Sequence, residues 1–103
     1  MNVLVSIITP AYNSAKFIAE TIQSVQNQTH ENWEMIIVDD GSSDETIAIV
    51  QAFIDKDKRI QCYKLAQNSG PGVARNFAIE KAKGAFMTFI DADDIWFPNF
   101  IGN

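Results

Sequence analysis

Several things are scarce in this chain of 103 residues, and each scarcity closes a possibility. There is one cysteine, Cys62, so no internal disulfide can form and nothing calls for an oxidising compartment. There is one histidine, His30, read as a surface residue at a helix end, so no Ser-His-Asp or Cys-His catalytic set can be assembled around it. Three prolines and five glycines exclude collagen-like and low-complexity material. Basic residues number 8 against 13 acidic ones, a net charge of −5 that argues against nucleic acid as a partner. No apolar run approaches the ~20 residues of a spanning helix. The start, Met1-Asn2-Val3-Leu4, has no basic run, and Pro10 interrupts any leader-like core. These features lead us to expect a cytoplasmic location, or one at the cytoplasmic face of a membrane in a longer protein.

What is abundant is apolar sequence, 47% of the chain, enough for one domain to bury a core unaided. Its periodicity alternates. Val3 to Thr9 is a nearly continuous run rich in β-branched residues, the pattern of a strand covered on both faces. Ile18, Ile22 and Val25 then recur at helical spacing, with Asn13 or Ser14 placed to cap the helix. A second strand is expected over 33–39, followed by a helix striped with Ile47, Val50, Phe53 and Ile54. Ser42 and Glu45 have capping-box spacing at its start, and Asp55-Lys56-Asp57-Lys58 reads as a solvated charge cluster at its end. A shorter third strand fits 60–65, and Pro71 suits the first turn of a third helix with Val73, Ala74, Phe77, Ala78 and Ala82 on its apolar face. Gly84 suits the stop of that helix. A fourth strand fits 85–90, and Pro98 could begin another helix. The β-α-β-α-β-α-β succession predicts an open parallel α/β sheet in the order 3-2-1-4, with the short, more polar third strand at an edge.

Ligands of such sheets bind beyond the carboxyl ends of the strands. Here those ends read Thr9-Pro10-Ala11-Tyr12-Asn13, Asp39-Asp40-Gly41-Ser42 and Asp91-Ala92-Asp93-Asp94. Carboxylates gathered at one crevice repel unless something positive joins them, and aspartate oxygens are hard donors suited to Mg²⁺, Mn²⁺ or Ca²⁺. A calcium-caging loop is excluded, because Ile95 and Trp96 stand where a third ligand and a glycine belong after Asp91 and Asp93. Blander readings stand beside these. Asp40 to Asp44 would also serve as a helix-capping turn, Tyr12 as a packed loop residue, Arg75 as a solvated helix residue, and Gly70-Pro71-Gly72 is too short for a dinucleotide fingerprint.

Four segments in order, Ser6-Ile7-Ile8-Thr9-Pro10-Ala11-Tyr12-Asn13, Ile36-Ile37-Val38-Asp39-Asp40-Gly41-Ser42-Ser43-Asp44, Ala74-Arg75-Asn76 and Phe89-Ile90-Asp91-Ala92-Asp93-Asp94, resemble the successive signatures of the inverting family 2 glycosyltransferases of GT-A fold. The resemblance implies transfer of a sugar from a nucleotide diphosphate sugar, often a UDP-sugar, to a hydroxyl acceptor such as a glycan or lipid-linked sugar. It implies that Pro10, Ala11 and Tyr12 hold the base and that Asp40 bonds its other side. Asp91 and Asp93 match the DxD motif: Asp93 with Asp94 would reach Mn²⁺ or Mg²⁺, and Asp91 would lie near the ribose, the diphosphate and the metal. Arg75 takes a supporting role. The family's general base lies well C-terminal of the DxD motif, so it is expected beyond Asn103, no catalytic residue is assigned within 1–103, and these residues read as the N-terminal nucleotide-binding part of a longer protein. Phe86, Phe89, Trp96, Phe97 and Phe100 would then expose an apolar surface suited to self-association. Two readings from other classes are a nucleotide- or sugar-binding module without turnover and a Mg²⁺-binding receiver domain. The latter expects an acidic pair where Pro10-Ala11-Tyr12 stands.

Overall fold

Four runs of β-branched and apolar residues form one parallel sheet in the computed structural model, which describes residues 3–98. The strands are β1 (Val5–Ala11), β2 (Trp33–Asp39), β3 (Ile60–Lys64) and β4 (Phe86–Phe89), in the spatial order β3-β2-β1-β4 with every pairing parallel. The helices between them are α1 (Ile18–Gln26), α2 (Thr46–Ile54) and α3 (Pro71–Lys81). The expected order is therefore realised. β1 sits two residues later than the periodicity suggested, running through Pro10 to Ala11, because the β1–β2 register continues to Ala11 opposite Asp39. The helix expected from Pro98 and the aromatic Phe100 lie outside the described residues.

Alternation along the two central strands divides the core. One face carries Ile7 and Ala11 of β1, Trp33, Met35 and Ile37 of β2 and Ile60 of β3, covered by Ile18, Ile22 and Val25 of α1 and Val50 of α2. The other carries Ile8, Ile36 and Val38 beneath Ala74 and Ala78 of α3. Ile18, Ile22 and Val25 are wholly buried, each contributing about 1.5–3 kcal/mol of transfer free energy, so α1 is held by its stripe rather than by its caps. All of β2 is buried, Glu34 included. That carboxylate is tolerated because its oxygens accept from the Ser6 hydroxyl (2.6 Å), the Lys83 backbone N–H (2.6 Å) and the Gln61 amide (3.2 Å).

Several local expectations are corrected. Neither Asn13 nor Ser14 caps α1 with its side chain; the Ser14 carbonyl accepts from Phe17 and Ile18 in a preceding turn, while its hydroxyl donates back to the Tyr12 carbonyl. The Ser42–Glu45 capping box does not form. Ser42 has a partner in Asp39, and it is Asp44 that accepts the Thr46 N–H at 2.9 Å as α2 begins. Gly84 does not terminate α3, which ends at Lys81; its place is set by β1, since a Cβ there would stand 2.6 Å from the Ser6 hydroxyl and 2.7 Å from the Leu4 carbonyl. Val73 points out of the α3 core face and is exposed. His30 is half-buried, its Nε2 within hydrogen-bond distance of the Val3 and Asn32 carbonyls.

Asp57 does not belong to a solvated charge cluster either. It pairs with Arg59 at 2.9 Å and accepts from Gln26, and the Arg59 hydrogen bond holds its carboxyl well below the usual range, at about 2. The Arg59 guanidinium lies 3.8 Å from the centroid of the buried Trp33 ring, a stacked cation at the amino end of β2. Cys62, half-buried on β3, has its thiol pushed up to about 11 by burial, which leaves it a poor nucleophile at neutral pH.

Candidate functional site

The carboxyl ends of β1 and β2 adjoin, so the loops that follow them share one edge of the sheet. They are bonded to each other rather than merely adjacent. Asn13 takes a left-handed conformation (φ 49°), its N–H donates to the Ser42 hydroxyl at 2.8 Å, and its side-chain oxygen accepts the Ser43 N–H at 2.9 Å. Ser14 N–H donates to the Thr46 hydroxyl at 2.8 Å and Ala15 N–H to Asp44 at 3.2 Å. The Thr46 hydroxyl donated to Asp44, with the N–H groups of Thr46 and Ala15, holds that carboxyl below its ordinary value. Asp39, fully buried, accepts both the N–H and the hydroxyl of Ser42. A run of bonds from Asp39 through Ser42 to Asn13 thus fixes the residue that follows Tyr12.

Beyond this edge opens a crevice of about 300 Å³ lined by Pro10, Ala11, Tyr12, Asp40, Asn68, Pro71 and Asp91. Five of the sequence-predicted residues, Pro10, Ala11, Tyr12, Asp40 and Asp91, are brought together here. Tyr12 is half exposed, a ring presented on the wall rather than packed into the core. Asp40 is buried, and both of its oxygens accept backbone N–H groups, from Ser69 at 2.7 Å and Gly70 at 2.9 Å.

The expected convergence of Asp40, Asp91 and Asp93 is partial. Asp93 does not line the crevice; it belongs to an exposed turn in which Asp91, Asp93 and Asp94 each offer a carboxylate oxygen, all within 4.8 Å of one another. Three exposed hard-oxygen donors at this spacing are of the kind that suits Mn²⁺ or Mg²⁺. Arg75 lies on the exposed side of α3 and outside the crevice lining. Asn68 and Pro71 are lining residues that sequence reasoning did not single out, although Asn68 follows the carboxyl end of β3 just as Tyr12 and Asp40 follow those of β1 and β2.

The chain belongs to glycosyl transferase family 2. The family model matches residues 6–103, which includes every segment just described. Among curated relatives, the chain is 50% identical over 93 residues to TuaG of Bacillus subtilis strain 168, a glycosyltransferase provisionally named for teichuronic acid biosynthesis; the match covers 90% of this chain and 37% of TuaG. Among solved structures, Staphylococcus aureus TarS in complex with UDP superposes with a TM-score of 0.90 at 37% identity, over 95% of this chain and 30% of that one. The mannosyltransferase PcManGT of Pyrobaculum calidifontis, solved with GDP-mannose and Mn²⁺, gives a TM-score of 0.87 at 26% identity, over 93% of this chain and 29% of that one. The chain thus spans about a third of the length of each of these three proteins. Its parallel sheet and helices are those of the GT-A nucleotide-sugar transferases.

Proposed function

We propose that residues 1–103 form the donor-binding part of an inverting glycosyltransferase, which takes a sugar from a nucleotide diphosphate sugar, a UDP-sugar by preference, and transfers it to a hydroxyl of a glycan or lipid-linked acceptor. The observation that carries this reading is the adjacency of the Tyr12–Asp40–Asp91 crevice to the Asp91-Asp93-Asp94 turn, on a fold whose solved relatives hold UDP in one case and GDP-mannose with Mn²⁺ in another. Pro10, Ala11 and Tyr12 receive the base on one wall, with Asp40 on the other. Asp93 and Asp94, with Asp91, would hold Mn²⁺ or Mg²⁺, and Asp91 would also lie near the ribose and diphosphate. The bound cation supplies stabilisation of the negative charge that develops on the leaving nucleoside diphosphate. Arg75 supports the site from α3. The acceptor's general base is a residue C-terminal to the acidic turn. In the whole protein this part faces the cytoplasm. The exposed Phe86, Met87 and Phe89 of β4 make the isolated chain self-associate, which light scattering over a concentration series checks.

Calorimetric titration with UDP and with GDP, each with and without Mn²⁺, tests the reading. The expected result is binding that Mn²⁺ strengthens, with UDP preferred. Binding indifferent to Mn²⁺ would remove the metal from the mechanism, and no binding of either nucleotide would overturn the proposal.

A further inference from the structure

In the reading above Asp40 has one task, which is to face a ligand. Its bonding assigns it another. The two amides it holds, of Ser69 and Gly70, stand immediately before α3 starts at Pro71, Gly70 being the residue that caps the helix, beside a helix start that favours an anion. The anion is supplied from within the fold, by a carboxylate at the end of β2. Other contacts close the same seam. The Asn68 side-chain amide donates to the Asp40 carbonyl at 3.4 Å, and Gly41, at φ +77°, packs so closely that a Cβ would stand 2.9 Å from the Asn68 nitrogen and 3.0 Å from the Gln67 carbonyl carbon. On its other side the Asp40 N–H donates to the Ala11 carbonyl at 2.8 Å. One residue therefore joins the wall formed by Pro10, Ala11 and Tyr12 to the wall formed by Asn68 and Pro71.

We infer that Asp40 is a positioning residue, a clamp that draws the 67–70 loop against the end of β2 and so builds the Asn68–Pro71 wall of the crevice before any ligand arrives. Charge-assisted hydrogen bonds to two adjacent amides are strong enough to order a loop whose residues are otherwise exposed. The consequence for nucleotide binding rests on the function proposed above; the clamp itself does not.

Hydrogen exchange on the ligand-free protein tests it. In the unmodified chain the Ser69 and Gly70 amides exchange at least about tenfold more slowly than open-loop amides. Asp40→Asn turns one acceptor oxygen into an N–H donor facing an N–H. It should speed exchange at those two amides by about tenfold or more, leave the amides of Ile7 and Ile36 protected, and weaken UDP by at least about tenfold. Fast exchange of Ser69 and Gly70 in the unmodified chain overturns the clamp whatever any variant does. So does an Asp40→Asn protein that loses UDP while both amides stay protected, since Asp40 would then be a ligand contact only. If the unmodified chain shows the protected pair and binds no nucleotide, the clamp stands and the proposed function falls.

Discussion

Two strands of this sheet end in similar acidic sequences, Asp39-Asp40 after β2 and Asp91-Ala92-Asp93-Asp94 after β4, and the fold places them in opposite electrostatic situations. The first pair is buried and consumed by the protein itself, Asp39 by Ser42 and Asp40 by the Ser69 and Gly70 amides. The second group is exposed, its three carboxylates clustered with no basic side chain paired to them among the described residues. Acidic residues at strand ends are thus of two kinds. Those with backbone donors within reach become structure, and those without stay exposed to solvent as a cluster of like charges. The difference lies in their neighbours: a serine three residues on and a glycine-containing loop across the way serve the first pair.

The comparison can be broken at several points. Asp39→Ala removes the acceptor for two Ser42 donors and a buried charge that shapes the turn, and should cost about 2–3 kcal/mol in urea denaturation. A cost below about 0.5 kcal/mol would mean that the first pair is not structural. Asp93→Asn, in the open group, should leave stability within about 0.5 kcal/mol and reduce the Mn²⁺-dependent gain in UDP affinity by at least about tenfold, or ~1.4 kcal/mol. An unchanged metal dependence would move the cation elsewhere. Asp57, at the amino end of the sheet, shows what a carboxylate neutralised by a true cation does. Its folded value of about 2 lies below the ordinary 3.8, so its contribution is present above pH 3.8 and is lost as pH falls through about 2. After solvent screening that contribution is about 1 kcal/mol, and Asp57→Asn should flatten this part of an acid-denaturation series by that amount.

The architecture was legible because it rests on burial. β-branched runs covered on both faces, separated by helical stripes, admit few arrangements other than a parallel sheet, and the more polar third strand stands at an edge as expected. The crevice was legible in outline for the same reason, since its residues sit where parallel strands end. Local chemistry was not. Ser14, Ser42 and Asp44 have the residue types and spacing of helix caps, yet each also bonds across the two loops, to Thr46, Asn13 and Ala15, 29 to 32 residues distant in sequence. Propensity rules for caps see only the nearest turn and miss the bonds between two loops that lie side by side. Asp57 was misread for another reason: the charge run was read as far as Lys58, one residue short of Arg59, its closest partner. Asn68 was overlooked because it carries no charge, and Gly84 because the atoms that forbid its Cβ belong to β1.

The acidic turn after β4 is also tied down from behind. The Ile90 N–H donates to the Ile8 carbonyl at 3.1 Å, the Asp94 N–H closes back on Asp91 at 3.0 Å, and the buried Thr21 hydroxyl of α1 reaches the Ala92 carbonyl at 2.9 Å. Further along, Gln28 and Thr29 donate to the carbonyls of Phe97 and Pro98, each at 2.7 Å. The conformational entropy of the turn is therefore surrendered during folding, and the proposed cation at Asp91, Asp93 and Asp94 would have little backbone left to order. Helix α1 lends no side chain to the crevice, yet through one hydroxyl it helps to hold the turn beside that crevice in place.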